Sequence, residues 1–120
     1  DSDLRIIKAE KWVTNLDDDF IYFIQDGVLY SCNINANYRE DPQIEIPEGE
    51  TVTWMRHLQI DTDAKAFNHL AIATYNGSEY KIYLYNLQAG NLKPNPDIIK
   101  GEGQVGAVMY FNPDDATPLP

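Results

Sequence analysis

Residues 69–91, HLAIATYNGSEYKIYLYNLQAGN, decide the fold that the sequence predicts. Two runs of strand length, residues 70–75 and 79–87, are rich in β-branched and aromatic side chains, which favour extended backbone. Asn76-Gly77 lies between them, and both residue types can adopt the positive φ angles that a tight hairpin turn needs. The stretch therefore predicts a β-hairpin.

Short strands separated by polar turns continue along the rest of the chain. Asp26-Gly27 is a second turn of the same kind, between the predicted strands 20–25 and 28–34. Residues 10–19 read as a turn-rich connection. Further strands are predicted at 4–9, 43–46, 51–60, 98–100 and 105–111. The fold class is therefore all-β, as a single domain over residues 1–112, with a flexible, proline-rich tail at 113–120.

The order of strands and turns repeats along the chain. Residues 20–27 align with 70–77 at an offset of 50, and residues 28–37 align with 81–90 at an offset of 53. The two units, about 4–50 and 51–103, each contain four short strands. Repeats of this kind are typical of β-propellers. We therefore predict two four-stranded antiparallel propeller-like blades plus an extra strand, with a compact β-sandwich as the alternative.

The predicted strands are apolar on both faces, which has a consequence for partners. Residues 20–24 and 82–85 carry aliphatic or aromatic side chains at odd and even positions, whereas a sheet with one solvated face would alternate. Such strands need a neighbour on each side, and two blades cannot supply all of them. We expect the missing blades to come from a longer parent chain or from self-association.

Composition excludes several classes of partner. Nineteen acidic residues against nine basic ones give a formal net charge of −10, which repels nucleic acid and anionic lipid. A neutral ligand, a basic protein or a divalent cation would suit this charge, which also serves solubility. No apolar run approaches membrane-spanning length, so this segment is not expected to insert into a membrane. Cys32 stands alone and reads as a small core residue.

Catalytic signatures are absent from the sequence. The two histidines, His57 and His69, match no metal-ligand spacing, and no serine, cysteine or lysine has an evident activating neighbour. We therefore predict no enzyme activity, no cofactor and no catalytic or metal-binding residues. Two alternatives stay open. A carboxylate-dependent glycosidase or lyase needs only a well-placed acidic pair, and the acidic loops 15–19 and 61–63 offer oxygen ligands to calcium without the EF-hand pattern.

A ligand site, if there is one, should use aromatic rings flanked by polar groups, because rings stack on sugars and polar groups fix orientation. The candidate ligand-binding residues adjoin turns of the predicted sheet or lie on the long strand that leads into the hairpin. They are Trp54, Arg56, His57, Tyr75, Glu79 and Tyr80.

Three segments carry a resemblance to a known family. Residues 68–92 (NHLAIATYNGSEYKIYLYNLQAGNL) and 98–113 (IIKGEGQVGAVMYFNP), preceded by 48–59 (EGETVTWMRHLQ), resemble the C-terminal propeller-like region of Bacteroidetes-type surface lipoproteins of the PKD-like family. The resemblance implies a location at the cell surface or outer membrane and a possible glycan or protein ligand, and it carries over no catalytic residue. The expected function is a non-enzymatic binding or scaffold module, or else a purely architectural spacer.

Overall fold

The computed structural model describes residues 9–15, 20–35, 39–61, 66–106, 111–112 and 117–118. In this part of the chain every regular element is a β-strand, and all pairings are antiparallel, which confirms the predicted all-β class. The strands are β1 Lys11–Asn15, β2 Phe20–Gln25, β3 Val28–Asn33, β4 Arg39–Glu45, β5 Thr51–Asp61, β6 Ala66–Tyr75, β7 Glu79–Gln88, β8 Asn91–Leu92, β9 Asp97–Glu102, β10 Phe111–Asn112 and β11 Thr117–Pro118.

The first sheet is a four-stranded meander with the order β1-β2-β3-β4. The predicted turn at Asp26-Gly27 joins β2 to β3, and both residues have positive φ, 53° and 76°. The sheet begins at Lys11–Asn15, so the prediction that residues 10–19 form a connection was wrong for that segment. Its core, Trp-Val-Thr, has high β-propensity and pairs with β2, Trp12 lying opposite Phe23. Residues 4–8 of the predicted first strand lie outside the described residues.

The second sheet has the order β5-β6-β7-β9, and the two-residue strand β8 pairs with the end of β7. The predicted hairpin between β6 and β7 is confirmed. The Asn76 amide donates to the Glu79 carbonyl at 3.1 Å, so Gly77 and Ser78 are the two central residues of the turn. Gly77 takes the positive φ of 106°, and the Asn76 side-chain oxygen accepts from the Ser78 and Glu79 amides. Asn76 therefore shapes the turn through its side chain.

The core lies between the two sheets. Each sheet contributes one face, called here its inner face, and the opposite side is its outer face. Buried side chains from both inner faces form one cluster: Tyr22, Ile24 and Leu29 from the first sheet, and Val52, Met55, Leu70, Ile72, Tyr83 and Leu87 from the second. The described structure is 23 Å along its shortest axis, as expected for two packed layers. Cys32 is buried, as predicted, with a free thiol.

The end of the chain has a small two-stranded sheet. β10 pairs with β11, which lies within the predicted tail. Val105 and Gly106, the start of the predicted final strand, are not in a strand, and residues 107–110 lie outside the described residues. The described residues include no helix that could span a bilayer.

Candidate functional site

Turns and connecting segments of both sheets lie at one end of the molecule, called here the loop end. It comprises the β2–β3 turn (26–27), the connection from β4 to β5 (46–50), the β6–β7 turn (77–78) and the residue after β9, Gly103. The Ile46 amide donates to the Gly27 carbonyl at 2.8 Å, and the Gly103 amide donates to the Ser78 carbonyl at 2.9 Å. Each sheet therefore ties the end of its last strand to its central turn.

A cleft of about 240 Å³ opens between the sheets at the loop end. The β4–β5 connection forms much of its wall, together with the Gly27 turn and the start of β5. Three of its lining residues, Glu10, Glu48 and Glu50, are acidic. Glu10 and Glu48 are exposed, so the cleft offers carboxylate hydrogen-bond acceptors to a ligand.

Glu50 anchors the connecting segment to the second sheet. Its Oε1 accepts from the Thr74 hydroxyl at 2.6 Å and from the Tyr83 hydroxyl at 2.7 Å, and its Oε2 lies 3.4 Å from Lys81 Nζ. The Glu50 side chain is 9% exposed, whereas that of Lys81 is 35% exposed. The carboxylate thus satisfies two hydroxyls of the inner face and fixes the path by which the chain crosses between sheets.

The anchor perturbs two pKa values in opposite directions. Burial by itself would raise the pKa of Glu50, but the hydrogen bonds from Thr74, Tyr83 and Lys81 favour the charged form and hold the pKa below its ordinary value. Burial raises the pKa of Tyr83, and the adjacent Glu50 carboxylate raises it further. Glu50 therefore stays ionised and Tyr83 stays protonated, which suits a structural hydrogen bond.

A second, more open depression of about 650 Å³ lies at the start of β7 and the end of β9. It is lined by Ser78, Glu79, Lys100, Gly101 and Glu102. Glu79 and Glu102 lie opposite each other in the ladder between β7 and β9, and both are exposed. Together with Glu48 these carboxylates make the loop end predominantly acidic.

The structure separates the six predicted site residues. Trp54, Arg56, Tyr75 and Tyr80 belong to the outer face of the second sheet, because their ladder positions alternate with the core residues Met55, Ile72 and Tyr83. His57 lies opposite Leu70 and belongs to the inner face, while Glu79 lies at the loop end. The six side chains therefore do not form one site.

Both histidines interact with neighbouring strands. His57 Nε2 is hydrogen-bonded to Asn68 Oδ1 at 2.5 Å. Burial lowers the pKa of His69, and the opposing influences of a hydrogen bond with Asn86 and the charge of Asp97 do not restore it. Each histidine therefore has a structural interaction with a neighbouring strand of the second sheet.

Metal binding has no support in the described ranges, where no group of three His, Cys, Asp or Glu side chains could hold an ion. Residues 16–19 and 62–65 lie outside those ranges, so most of the two loops considered for calcium are not included. Buried side-chain nitrogen and oxygen atoms of the described residues all have hydrogen-bond partners. In this part of the chain no orphaned buried side-chain atom indicates a ligand.

Several residues that organise the loop end and the sheet junction are not identifiable from the sequence. Glu50 bonds to residues 24, 31 and 33 positions away, so no local spacing identifies it. Gln43 links β4 to β8: its Nε2 donates to Ser31 Oγ at 3.0 Å and to Asn91 Oδ1 at 3.1 Å, and its Oε1 accepts from the Leu92 amide at 2.9 Å. Only the arrangement of the two sheets brings these groups together.

Comparison of the chain with protein-family models, with curated proteins and with solved structures finds no match.

Proposed function

We propose that this chain is a non-enzymatic binding module made of two propeller-type blades, with its ligand surface at the loop end. Two features of the fold support the blade arrangement. Each sheet is a meander whose four main strands follow in sequence order, as in propeller blades. The first strands, β1 and β5, contact each other, as the innermost strands of adjacent blades do.

The two sheets can be aligned through equivalent hydrogen bonds. Gly27 and Ser78 are each the second central residue of a hairpin turn, and each carbonyl accepts from the residue just after the last main strand of its sheet. This alignment sets β2 against β6 at an offset of 51, one residue away from the offset of 50 that the sequence predicts. A shift of one residue exchanges the two faces of a strand.

The alignment supports a stacked, blade-like arrangement of the sheets. The first sheet contacts the second through Ile24 and Leu29, and the equivalent residues of the second sheet are Tyr75 and Tyr80. These two tyrosines are on the outer face of the second sheet, away from the first. The sheets are therefore stacked in the same direction, as successive blades are. In a sandwich related by a two-fold axis, equivalent faces would meet.

Convergence of the loops is the observation that carries the binding function. The β2–β3 turn of the first sheet, the β4–β5 connection and the start of β5 in the second sheet border one cleft. The Glu50 anchor holds the connecting segment that lines it. Its acidic surface favours a cationic ligand, so the proposed partner is a protein segment rich in lysine or arginine. The resemblance to surface lipoproteins supports a cell-surface setting for this interaction.

A glycan is the second candidate ligand, and the aromatic residues favour it. Tyr75 and Tyr80 lie opposite each other in the β6–β7 ladder, and Trp54 lies on the same face, opposite Ala73. All three side chains are half-buried. Rings in neighbouring strands, about 5 Å apart, could stack against successive sugars. This surface differs from the loop end, so the two candidates are distinguishable by location.

The test is a titration of the ¹⁵N-labelled chain, followed by NMR, with a lysine-rich peptide and separately with neutral oligosaccharides. A protein ligand should shift the amide signals of residues 26–27, 46–50 and 77–79, whereas a glycan should shift those near Trp54 and Tyr80. Glu48→Gln should weaken peptide binding about threefold to tenfold, because one charge at the contact is lost.

Asp97→Asn is the matched control for that variant, since it removes one exposed carboxylate at the far end of β9. If both variants weakened peptide binding equally, the peptide would respond to the net charge of the chain and not to a site at the loop end. If neither ligand moved any loop-end or outer-face signal at millimolar concentration, the binding function would be abandoned in favour of an architectural spacer.

A further inference from the structure

We infer that the outer face of the second sheet is a stacking surface that binds the outer face of the first sheet in a second copy of this chain. This inference concerns a surface away from the loop-end cleft and does not depend on any ligand there. It rests on the proposed blade alignment, and it assigns to a second copy the face that the glycan candidate would otherwise use. It also rests on the way in which the two sheets of one chain already pack together.

Residues on the outer face of the second sheet are equivalent to residues that form the contact within the chain. Tyr75 is equivalent to Ile24 and Tyr80 to Leu29, which are 2% and 0% exposed between the sheets. Trp54, opposite Ala73, is equivalent to Val13, opposite Tyr22, and Val13 packs against the core cluster. The second sheet therefore presents large apolar side chains at the positions that the first sheet uses for stacking.

The outer face of the second sheet also has the shape of a packing surface. Ala71 and Ala73 place small side chains on the central strand β6, between the larger residues of β5 and β7. On β9, Gly101 lies against Tyr80, because a Cβ atom there would fall 2.6 Å from the Tyr80 ring. The Ile99 side chain on the same face is 48% exposed. Ala71, Ala73 and Ile82 of this face are 0%, 0% and 7% exposed. Arg56, opposite Ala71, is charged. The apolar area offered to another sheet is therefore formed by the half-buried aromatic residues and Ile99.

The first sheet offers the complementary surface. Trp12 is 66% exposed on its outer face, and Tyr30 of the same face is stacked on Phe23 with ring centroids 5.3 Å apart. Phe23 and Cys32 of this face are only 1% and 2% exposed, so Trp12 is the large side chain of the face that is open to a partner. The residue equivalent to Trp12 is Val52, which belongs to the core cluster and so contacts the first sheet. The contact between copies would thus repeat the contact within the chain, with Trp12 in the place of Val52.

This contact is heterologous, because each copy uses two different faces. Repetition around the axis near β1 and β5 closes a ring when the rotation permits. Propellers usually contain four to eight blades. With two blades in each copy, the expected assembly contains two to four copies of the 13.7 kDa chain.

Two adjacent isoleucines provide a matched pair of variants. Ile98 and Ile99 are 50% and 48% exposed, but Ile98 lies opposite the inner-face residue Tyr83, whereas Ile99 lies opposite Ile82 on the outer face. Ile99→Glu should raise the dissociation constant of the assembly about 100-fold or more, because a carboxylate would be buried without a partner. Ile98→Glu should leave the assembly unchanged.

The experiment measures mass by light scattering over a concentration range, with thermal unfolding of each variant as the folding control. Trp12→Glu, on the complementary face, should also abolish assembly. A mixture of Trp12→Glu and Ile99→Glu retains one intact contact and should form a one-to-one dimer that grows no further.

Three outcomes would overturn the inference. They are a monomeric wild-type chain at every concentration, equal effects of Ile98→Glu and Ile99→Glu, and a mixture of the two face variants that stays monomeric. If a variant unfolds, Trp54→Lys tests the same outer face from β5 under the same criteria.

Discussion

Replacement of Glu50 by glutamine is expected to weaken the junction between the two sheets and to remove part of the dependence of stability on pH. Glutamine keeps an oxygen that can accept from Thr74 and Tyr83, but it lacks the negative charge. A hydrogen bond to a charged acceptor contributes about 1 kcal/mol more than one to a neutral acceptor. The two hydroxyl bonds therefore lose about 2 kcal/mol together, and the half-exposed Lys81 adds only a few tenths.

The direction of the pH effect follows from the lowered pKa of Glu50. The unfolded chain, in which this carboxyl has its ordinary pKa of 4.5, binds the proton more readily than the folded chain. The stabilisation is therefore fully present above that value and is lost as the pH falls through the folded pKa. The free energy of unfolding should differ between wild type and Glu50→Gln by about 2 kcal/mol at neutral pH, and this difference should approach zero in strong acid.

Urea unfolding at a series of pH values measures both quantities. Glu48→Gln is the control. Glu48 is an exposed residue of the same connecting segment, so its replacement should leave the free energy of unfolding unchanged at each pH. Equal stabilities of wild type and Glu50→Gln at neutral pH would refute the anchoring role. A difference that persisted unchanged below pH 3 would instead refute the assignment of the effect to charge.

Two further substitutions test the contacts that join the sheets. Gly90→Ala should reduce the free energy of unfolding by about 2–4 kcal/mol, because φ is +82° and the new Cβ would fall 2.2 Å from the Phe20 ring. Gly27→Ala is the control, because Gly27 also has a positive φ but a Cβ atom there would meet open space. It should lower the free energy of unfolding by only about 1 kcal/mol. If denaturant titration gave the same loss for both variants, the contact with Phe20 would not contribute. Gln43→Ala should cost about 1–2 kcal/mol and speed hydrogen exchange at the Leu92 amide, which loses its acceptor. Gln104→Ala, at an exposed site, should change neither, and unaltered exchange at Leu92 in Gln43→Ala would contradict the link.

The proposed alignment of the two sheets differs from the predicted sequence repeat by one residue at β2 and β6 and by two residues at β3 and β7. Glycine positions suggested that Gly27 corresponds to Gly77, but the hydrogen bonds match Gly27 with Ser78. Both hairpins have a loop of two residues, but glycine is the second loop residue in one and the first in the other. The position of glycine was therefore not a reliable guide for aligning the two sheets. Because side chains alternate across a strand, a shift of one residue exchanges the two faces of β6 that are compared with β2.

The candidate site was predictable only in part for a related reason. The sequence grouped Trp54 and His57 because they are close along one strand, and the ladder then placed them on opposite faces of the second sheet. Glu50 gave no sequence signal, since its partners Thr74 and Tyr83 are distant in the chain. Propensity cannot anticipate a hydrogen bond that depends on how two sheets meet.

By itself the sequence determined the central strands β2, β3, β5, β6 and β7 and the two hairpins among them. The β-branched and aromatic runs, with Asp26-Gly27 and Asn76-Gly77 between them, specify hairpins because backbone conformation and turn chemistry act over a few residues. Tertiary structure alone decided which face of each strand is buried and how the sheets are joined. The Tyr22 hydroxyl bonds to the Gly90 carbonyl across 68 positions of sequence, and such contacts form only when two sheets pack. Burial is a property of that packing, and strands apolar on both faces leave the choice of face to it.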